Sequence, residues 1–259
     1  MKKRLKAIYD GSDFARENLS FREVSSLILE KYGYSRDALL FGDLPLDERV
    51  QKDFALAVSG EPLGYILGKV PFWREEYFVG EGVLIPRRDS ETLVETAIKK
   101  IPRSSHFLDI CTGSGCIGIS VLKEREDLTA TLLDISEKSE HFAKKNIEKN
   151  GVADRCTFRR FDVLKEEPEN ASAIIMNPPY ITVEEMKSLP KNVRKEPSLA
   201  LFGGEDGLDF YRRIKEISPD ATLIFEIGAG QGKALLEIFG GGEIIKDYCG
   251  LDRVFLLEK

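Results

Sequence analysis

The sequence predicts an α/β fold: a mostly parallel sheet covered on both faces, preceded by a small all-helical module. Three observations carry that expectation. From residue 107 onward, short apolar runs alternate with helical segments, the pattern of parallel strands joined by crossover helices. A glycine-rich turn lies where the first such run meets its helix. The stretch 1–62, by contrast, keeps a helical rhythm and has few strand signals.

In chain order, Ser20 and Glu23 have capping-box spacing, and Val24, Leu27, Ile28 and Lys31 follow at three-and-four intervals until Gly33. Val50, Phe54, Ala57 and Val58 repeat the rhythm up to Gly60, with a shorter apolar cluster, Leu39-Leu40-Phe41, between the two. These segments form the expected helical domain, 1–62, which either packs against the rest of the chain or holds a partner; composition alone does not choose between the two. Glu61-Pro62-Leu63-Gly64-Tyr65 is turn-rich and opens a linker, 63–85, in which Val70–Trp73 and Tyr77–Val79 read as a hairpin that Val83–Pro86 ends. In the remaining domain, 86–259, Phe107–Ile110 is a short strand, Gly113–Gly118 a turn and Ile119–Leu122 a helix. Ala130–Leu133 is a second strand that ends at Asp134, and Ser136–Asn150 is a helix that stops at Gly151. Ala173–Met176, Leu223–Phe225 and Val254–Leu257 read as further strands.

Composition narrows the function. A net charge of −6 gives no general basic field for gripping phosphate backbones, so no direct nucleic-acid binding is expected. No apolar run approaches the roughly 20 residues of a membrane helix. The basic start, Met1–Lys6, runs into Asp10-Gly11-Ser12-Asp13 where a signal peptide would be apolar, so no export signal is expected. Cys111, Cys116, Cys156 and Cys249 show no CxxC spacing and do not cluster with His106 and His141, so neither a zinc site nor a disulfide framework is expected, and a reducing cytoplasm is the natural location. Two histidines, one of them a strand-start residue at 106, also leave little room for Ser-His-Asp or Cys-His chemistry.

The turn Asp109-Ile110-Cys111-Thr112-Gly113-Ser114-Gly115-Cys116-Ile117-Gly118 contains G-x-G-x-x-G at the carboxyl end of a strand, where open α/β sheets bind ligands. Asp134 follows Gly115 by 19 positions, where a carboxylate can accept both hydroxyl protons of a ribose. Two cofactors fit. A dinucleotide would set its pyrophosphate on the helix N-terminus, against the negative charge of Asp109. S-adenosylmethionine has no phosphate and carries a cationic sulfonium and an ammonium, which suit an acidic residue before the glycines. A second acidic-glycine run, Glu226-Ile227-Gly228-Ala229-Gly230-Gln231-Gly232, is followed by only about one helix and two strands, too little for a nucleotide-binding half; Glu226 is expected at another strand end of the same sheet.

Asn177-Pro178-Pro179-Tyr180 directly follows the run Ala173–Met176. Two prolines cannot continue a ladder, so the chain leaves the sheet there as a stiff corner that has no N–H at 178 or 179 and presents carbonyls. Such a corner suits a planar –NH2 group. Its two N–H bonds would point at the Asn177 oxygen and the Pro178 carbonyl, leaving the nitrogen lone pair aimed at a methyl donor. Orientation and polarisation then supply the rate that a delocalised nitrogen lacks.

These residues resemble the class I S-adenosylmethionine-dependent methyltransferases, and more closely the protein-(glutamine-N5) methyltransferases that modify peptide chain release factors. Further markers are Gly60-Glu61-Pro62 with Tyr65-Ile66-Leu67-Gly68, Leu84-Ile85-Pro86-Arg87, Glu196-Pro197, and Gly203-Gly204 with Asp206-Gly207-Leu208. The resemblance implies a Rossmann-like domain with a mostly parallel seven-stranded sheet, and a helical N-terminal domain, joined by a β-hairpin, that engages a release factor. It implies that Cys111, Thr112, Gly113, Ser114 and Gly115 line the methionine end of the cofactor, that Asp134 holds the ribose, and that Asp162 and Val163 lie near the adenine. Ile85, Pro86 and Arg87 would close over the cofactor; Asn177 would contact both cofactor and substrate, and Pro178, Pro179 and Tyr180 would complete the glutamine pocket. It implies a monomeric enzyme that leaves S-adenosyl-L-homocysteine as product. Cys111 stands where glycine is frequent, Val163 where some members carry an aromatic, and Arg88 where proline is common. Two other readings remain: a methyltransferase acting on the exocyclic amine of adenine in DNA or RNA, and a non-catalytic dinucleotide binder using Gly113–Gly118.

Overall fold

The computed structural model describes residues 1–35, 47–217 and 219–259; the cluster Leu39-Leu40-Phe41 lies outside them. The chain divides into two compact units, one of residues 1–69 with 190–195, the other of residues 70–189 with 196–259.

In the first unit, helices span Lys2–Asp10, Asp13–Asn18, Phe21–Lys31, Glu48–Val58 and Leu63–Leu67. Side-chain oxygens start three of them. Ser12 accepts from the Ala15 N–H, Ser20 from the Glu23 N–H, and Asp47 from those of Arg49 and Val50, which satisfies donors that an open helix end would leave bare. The apolar stripes meet around Leu5, Val24, Ile28, Leu29, Val50 and Phe54, all buried. Lys31 shares the helical spacing of Val24 and Ile28 but turns to a polar contact: its ammonium donates to Asp53 Oδ2 at 2.6 Å and to the Ile66 carbonyl at 2.7 Å. Leu63–Leu67, read from sequence as linker, is a short helix.

In the second unit, β1 (Lys69–Phe72) and β2 (Glu75–Phe78) form a two-stranded sheet. A seven-stranded sheet follows, made of β3 (His106–Ile110), β4 (Thr129–Asp134), β5 (Cys156–Arg160), β6 (Ala173–Met176), β7 (Thr222–Glu226), β8 (Glu243–Lys246) and β9 (Asp252–Leu257). The order is β5-β4-β3-β6-β7-β9-β8, with β9 antiparallel to both neighbours and the other pairs parallel. The central strands are buried on both faces. Phe107 faces one apolar layer with Leu93, Val94 and Leu122, while Leu108 and Ile110 face the other with Tyr211 and Phe239. From β3 the chain crosses first to β4 on one side and later to β6 on the other. That change of direction opens a crevice at the carboxyl ends of β3, β4 and β6.

One buried side chain ties the two-stranded sheet to the crevice. Asn146, fully buried on the helix Glu137–Lys149, accepts from the Phe78 N–H at 2.7 Å. It also donates to the Phe78 carbonyl and the Ser114 carbonyl, each at 2.9 Å. An apolar replacement leaves three main-chain groups without their partner, and an unsatisfied buried polar group costs about 1–3 kcal/mol. Asn146→Ala is therefore expected to lower unfolding free energy by more than about 2 kcal/mol in urea titrations; a loss under about 0.5 kcal/mol would contradict this account.

Candidate active site

A cavity of about 400 Å³ opens at these strand ends, within the second unit. Its wall combines the glycine turn from Cys111 to Ser114, Asp134 at the end of β4, Asn177 and Pro179 after β6, and Arg87 with Ser90 before the helix Glu91–Lys100. Ile135, Phe161, Val163 and Leu164 form an apolar slot beside Asp134, with Asp162 among them.

The turn is shaped from below. Asp109, 1% exposed, does not line the cavity. Its Oδ2 accepts from the Thr112 hydroxyl at 2.6 Å and from the Gly118 N–H at 3.0 Å. The expectation that its charge faces the ligand is therefore corrected: it holds the turn onto the helix Cys116–Glu124 from within. A Cβ at Gly118 would stand 2.6 Å from Leu132 Cδ2 and 2.8 Å from Asp109 Oδ2, so the third glycine is the one that lets helix and strand close together. Gly113 and Gly115 take φ of 59° and 80°, the left-handed region. Cys111 shares it at φ 60°, a conformation that glycine adopts with less strain. Burial, with Asp134, Asp109 and Asp162 nearby, raises its thiol well above the ordinary range.

Asp134 faces the cavity with both oxygens fixed. Oδ2 accepts from the Gly113 N–H and Oδ1 from the Ser136 N–H, each at 2.9 Å. Burial nevertheless raises its carboxyl above the usual value. Asp162 Oδ1 accepts from the Leu164 N–H, and its carboxylate pairs with Lys165 at 2.9 Å. Arg87 pairs with the buried Glu196, whose other oxygen accepts from the Ile85 N–H at 3.0 Å.

The tetrad divides. Asn177 and Pro179 line the cavity; Pro178 is buried and Tyr180 half-buried, and neither forms part of the wall. The Tyr180 hydroxyl donates to Glu226 Oε1 at 3.3 Å, and its carbonyl accepts from Gln231 Nε2 at 3.2 Å. Gly203 packs so closely that a Cβ there would lie 2.5 Å from the Pro179 carbonyl oxygen, which gives the Gly-Gly marker its physical reason. Asn177 Nδ2 donates to Ser90 Oγ at 3.4 Å. Ser90, Glu196, Glu226 and Gln231 were not assigned roles from sequence. Glu226 sits at the end of β7, as expected, and is 2% exposed. Burial pushes its carboxyl up to about 7, opposed by the Ser90 hydroxyl, the Arg253 charge and the Tyr180 hydroxyl.

With this geometry in place, relatives can be compared. A release factor glutamine methyltransferase of Thermodesulfovibrio yellowstonii is 39% identical over 215 residues, covering 77% of each chain. The chain belongs to the release factor glutamine methyltransferase family. A second member, from Nitratidesulfovibrio vulgaris, is 32% identical over 258 residues, covering 93% of this chain and 84% of that one. The methyltransferase small domain model matches residues 88–193, which include the cavity wall from Ser90 to Pro179. Among solved structures, the hMettl16 catalytic domain in complex with MAT2A 3′UTR hairpin 6 superposes with a TM-score of 0.55 at 17% identity, covering 81% of this chain and 80% of that one; the two share a fold. The seven-stranded, mostly parallel sheet with helices before it is the architecture implied by the family resemblance.

Burial also pushes the Asp109 carboxyl up to about 7, above its value of 3.8 when unburied. The folded chain thus holds this proton more tightly than the unfolded one. The stability it contributes is complete below pH about 4 and is lost as pH rises through about 7. Asp109→Asn removes the titration and keeps an acceptor for Gly118. Melting temperatures of the variant relative to the parent chain are expected to climb between pH 4 and 7; a constant difference would show that Asp109 stays ionised throughout.

Proposed function

We propose that this chain transfers a methyl group from S-adenosyl-L-methionine to the side-chain amide nitrogen of the glutamine in the Gly-Gly-Gln motif of peptide chain release factors. The observation that carries the reading is Asn177. It leaves the end of β6 into the same cavity as Asp134 and the glycine turn. A reactive amide held there would lie against the cofactor pocket.

The wall suits the cofactor. Asp134 offers an anchored carboxylate for ribose hydroxyls, the slot of Ile135, Phe161, Val163 and Leu164 an apolar seat for adenine, and the turn Cys111–Ser114 a close main-chain approach for the methionine end, with Gly115 turning the chain behind the wall. When bound, the cofactor supplies an electrophilic methyl carbon on a sulfonium. The chain's own part is to hold and orient the nucleophile. Asn177 Oδ1 accepts one amide N–H, and a main-chain carbonyl of the tetrad accepts the other, which returns electron density to a poor nucleophile and fixes its lone pair. Pro179 makes the corner stiff, and Tyr180, held by Glu226 and Gln231, anchors it from behind. Arg87, fixed by Glu196, closes the cavity from the other side. In this reading the helices of 1–62 recognise the release factor, 63–85 links them to the methyltransferase domain 86–259, and the enzyme acts as a cytoplasmic monomer on protein rather than on nucleic acid. The net charge of −6 supports the last point.

Incubation with methyl-labelled cofactor and a release factor is expected to label the Gly-Gly-Gln glutamine, with none on a factor whose glutamine is replaced by alanine. Label in RNA or DNA and none in the protein would overturn the substrate assignment. Asn177→Ala is expected to lower kcat by at least about 100-fold, the scale of one lost polar group at a reacting centre. Asp134→Ala is expected to weaken S-adenosyl-L-homocysteine binding by about tenfold or more in calorimetry; unchanged affinity would remove the ribose role.

A further inference from the structure

The corner Asn177–Tyr180 has to be held from outside, because Pro178 and Pro179 carry no N–H of their own. Among the described residues, the side chain that donates to its main chain is Gln231, which stands just before the helix Gly232–Phe239. Gln231 Nε2 donates to the Tyr180 carbonyl and to the Gly207 carbonyl, each at 3.2 Å, and Oε1 accepts from the Gly228 N–H at 2.9 Å. These partners fix which way the amide faces: two carbonyls take the NH2 end and an N–H takes the oxygen. One half-buried side chain thus joins three loops, the one after β6, the one after β7 and the one that contains Gly207.

The main chain is packed tightly round this joint. A Cβ at Gly207 would stand 2.2 Å from the Tyr180 carbonyl oxygen and 2.7 Å from Gln231 Nε2, and Gly207 takes a φ of 76°. The marker Asp206-Gly207-Leu208 therefore has its glycine where one amide reaches two carbonyls at once. One residue further on, the Ile181 N–H donates to the Leu201 carbonyl at 2.9 Å, and the Ile181 carbonyl accepts from the Gly203 N–H at 3.0 Å. The exit from the corner is pinned at both Tyr180 and Ile181.

Resting on the reading of Asn177 as the amide holder, we propose that Gln231 is a positioning residue for methyl transfer, which sets the pose of the whole corner through the Tyr180 carbonyl. The proline rings fix φ at 178 and 179, so few torsions are free between that carbonyl and Asn177. A tilt of the Tyr180 peptide plane is passed along this stiff segment to Asn177 Oδ1 and to the main-chain carbonyl that meets the substrate –NH2. A displacement of about 1 Å at a reacting centre can cost about 100-fold in rate. The joint also requires an amide. Glutamate has the same shape but sets an oxygen against the two carbonyls and repels both. Methionine has a similar length and leaves all three main-chain groups without this partner.

The test is steady-state methylation of a release factor by Gln231→Glu and Gln231→Met, with S-adenosyl-L-homocysteine affinity measured by calorimetry and unfolding followed in urea. Both variants are expected to lower kcat about tenfold or more, while KM for the release factor and affinity for S-adenosyl-L-homocysteine stay within about threefold. A role in folding alone would lower stability and leave the kcat of the folded protein unchanged. That outcome overturns the proposal, as does a rise in KM at full kcat or a loss of cofactor affinity as large as the loss in kcat. If Asn177→Ala retains activity, the amide-holder reading has failed instead; if Asn177→Ala is slow and the Gln231 variants are not, the positioning role fails alone. Should Gln231→Glu not fold, Gln231→Met, which brings no charge, decides alone.

Discussion

The site depends on one constraint, the level at which β3, β4, β6 and β7 end. Parallel register pairs Ile110 with Leu133 and with Met176, and Met176 with Phe225. The residues that follow therefore emerge at one height. The glycine turn, Asp134, Asn177 and Glu226 come from distant parts of the chain and meet because a parallel sheet is evenly spaced along its hydrogen bonds. A one-residue slip in any of these pairs would carry its end residue to the opposite face.

Beneath that edge, the polar groups divide into those that face the cavity and those that hold them. Asp134 and Asn177 face inward. Asp109, Asn146, Glu196 and Gln231 each spend their oxygens or N–H groups on main chain, or on a residue that does face the cavity, while Glu226 accepts from Tyr180 behind the wall. Two carboxylates of the second group, Asp109 and Glu226, are almost wholly buried and each keep an oxygen without a partner. Leaving a buried polar atom unpaired is costly, and both stand directly behind a residue of the cavity wall.

The central strands were legible in the sequence because strands buried on both faces read as continuous apolar runs, as Ala173–Met176 does. The helix Glu137–Lys149 was legible through Ser136, which caps it, and through Gly151 beyond its end. The edge strands were not. β5 carries Thr157, Arg159 and Arg160, and β8 begins with Glu243 and ends with Lys246; at a sheet edge solvent accepts such side chains, and the apolar signal disappears. The glycine turn, Asp134 and Asn177 could be found from their spacing relative to strand ends. The side chains that support them could not, because Ser90, Glu196 and Gln231 act through partners that the fold brings from far along the chain. Glu196 lies 111 positions from Ile85, and Gln231 lies 51 from Tyr180.

The left-handed turn at Cys111 places a sulfur in the wall of a pocket suited to an alkylating reagent. A thiolate there would compete with the intended acceptor and would be modified by the enzyme's own reagent. Only the deprotonated form is strongly nucleophilic, and burial together with the surrounding carboxylates suppresses it. Burial and the neighbouring carboxylates thus keep the pocket's own sulfur in its weakly nucleophilic form.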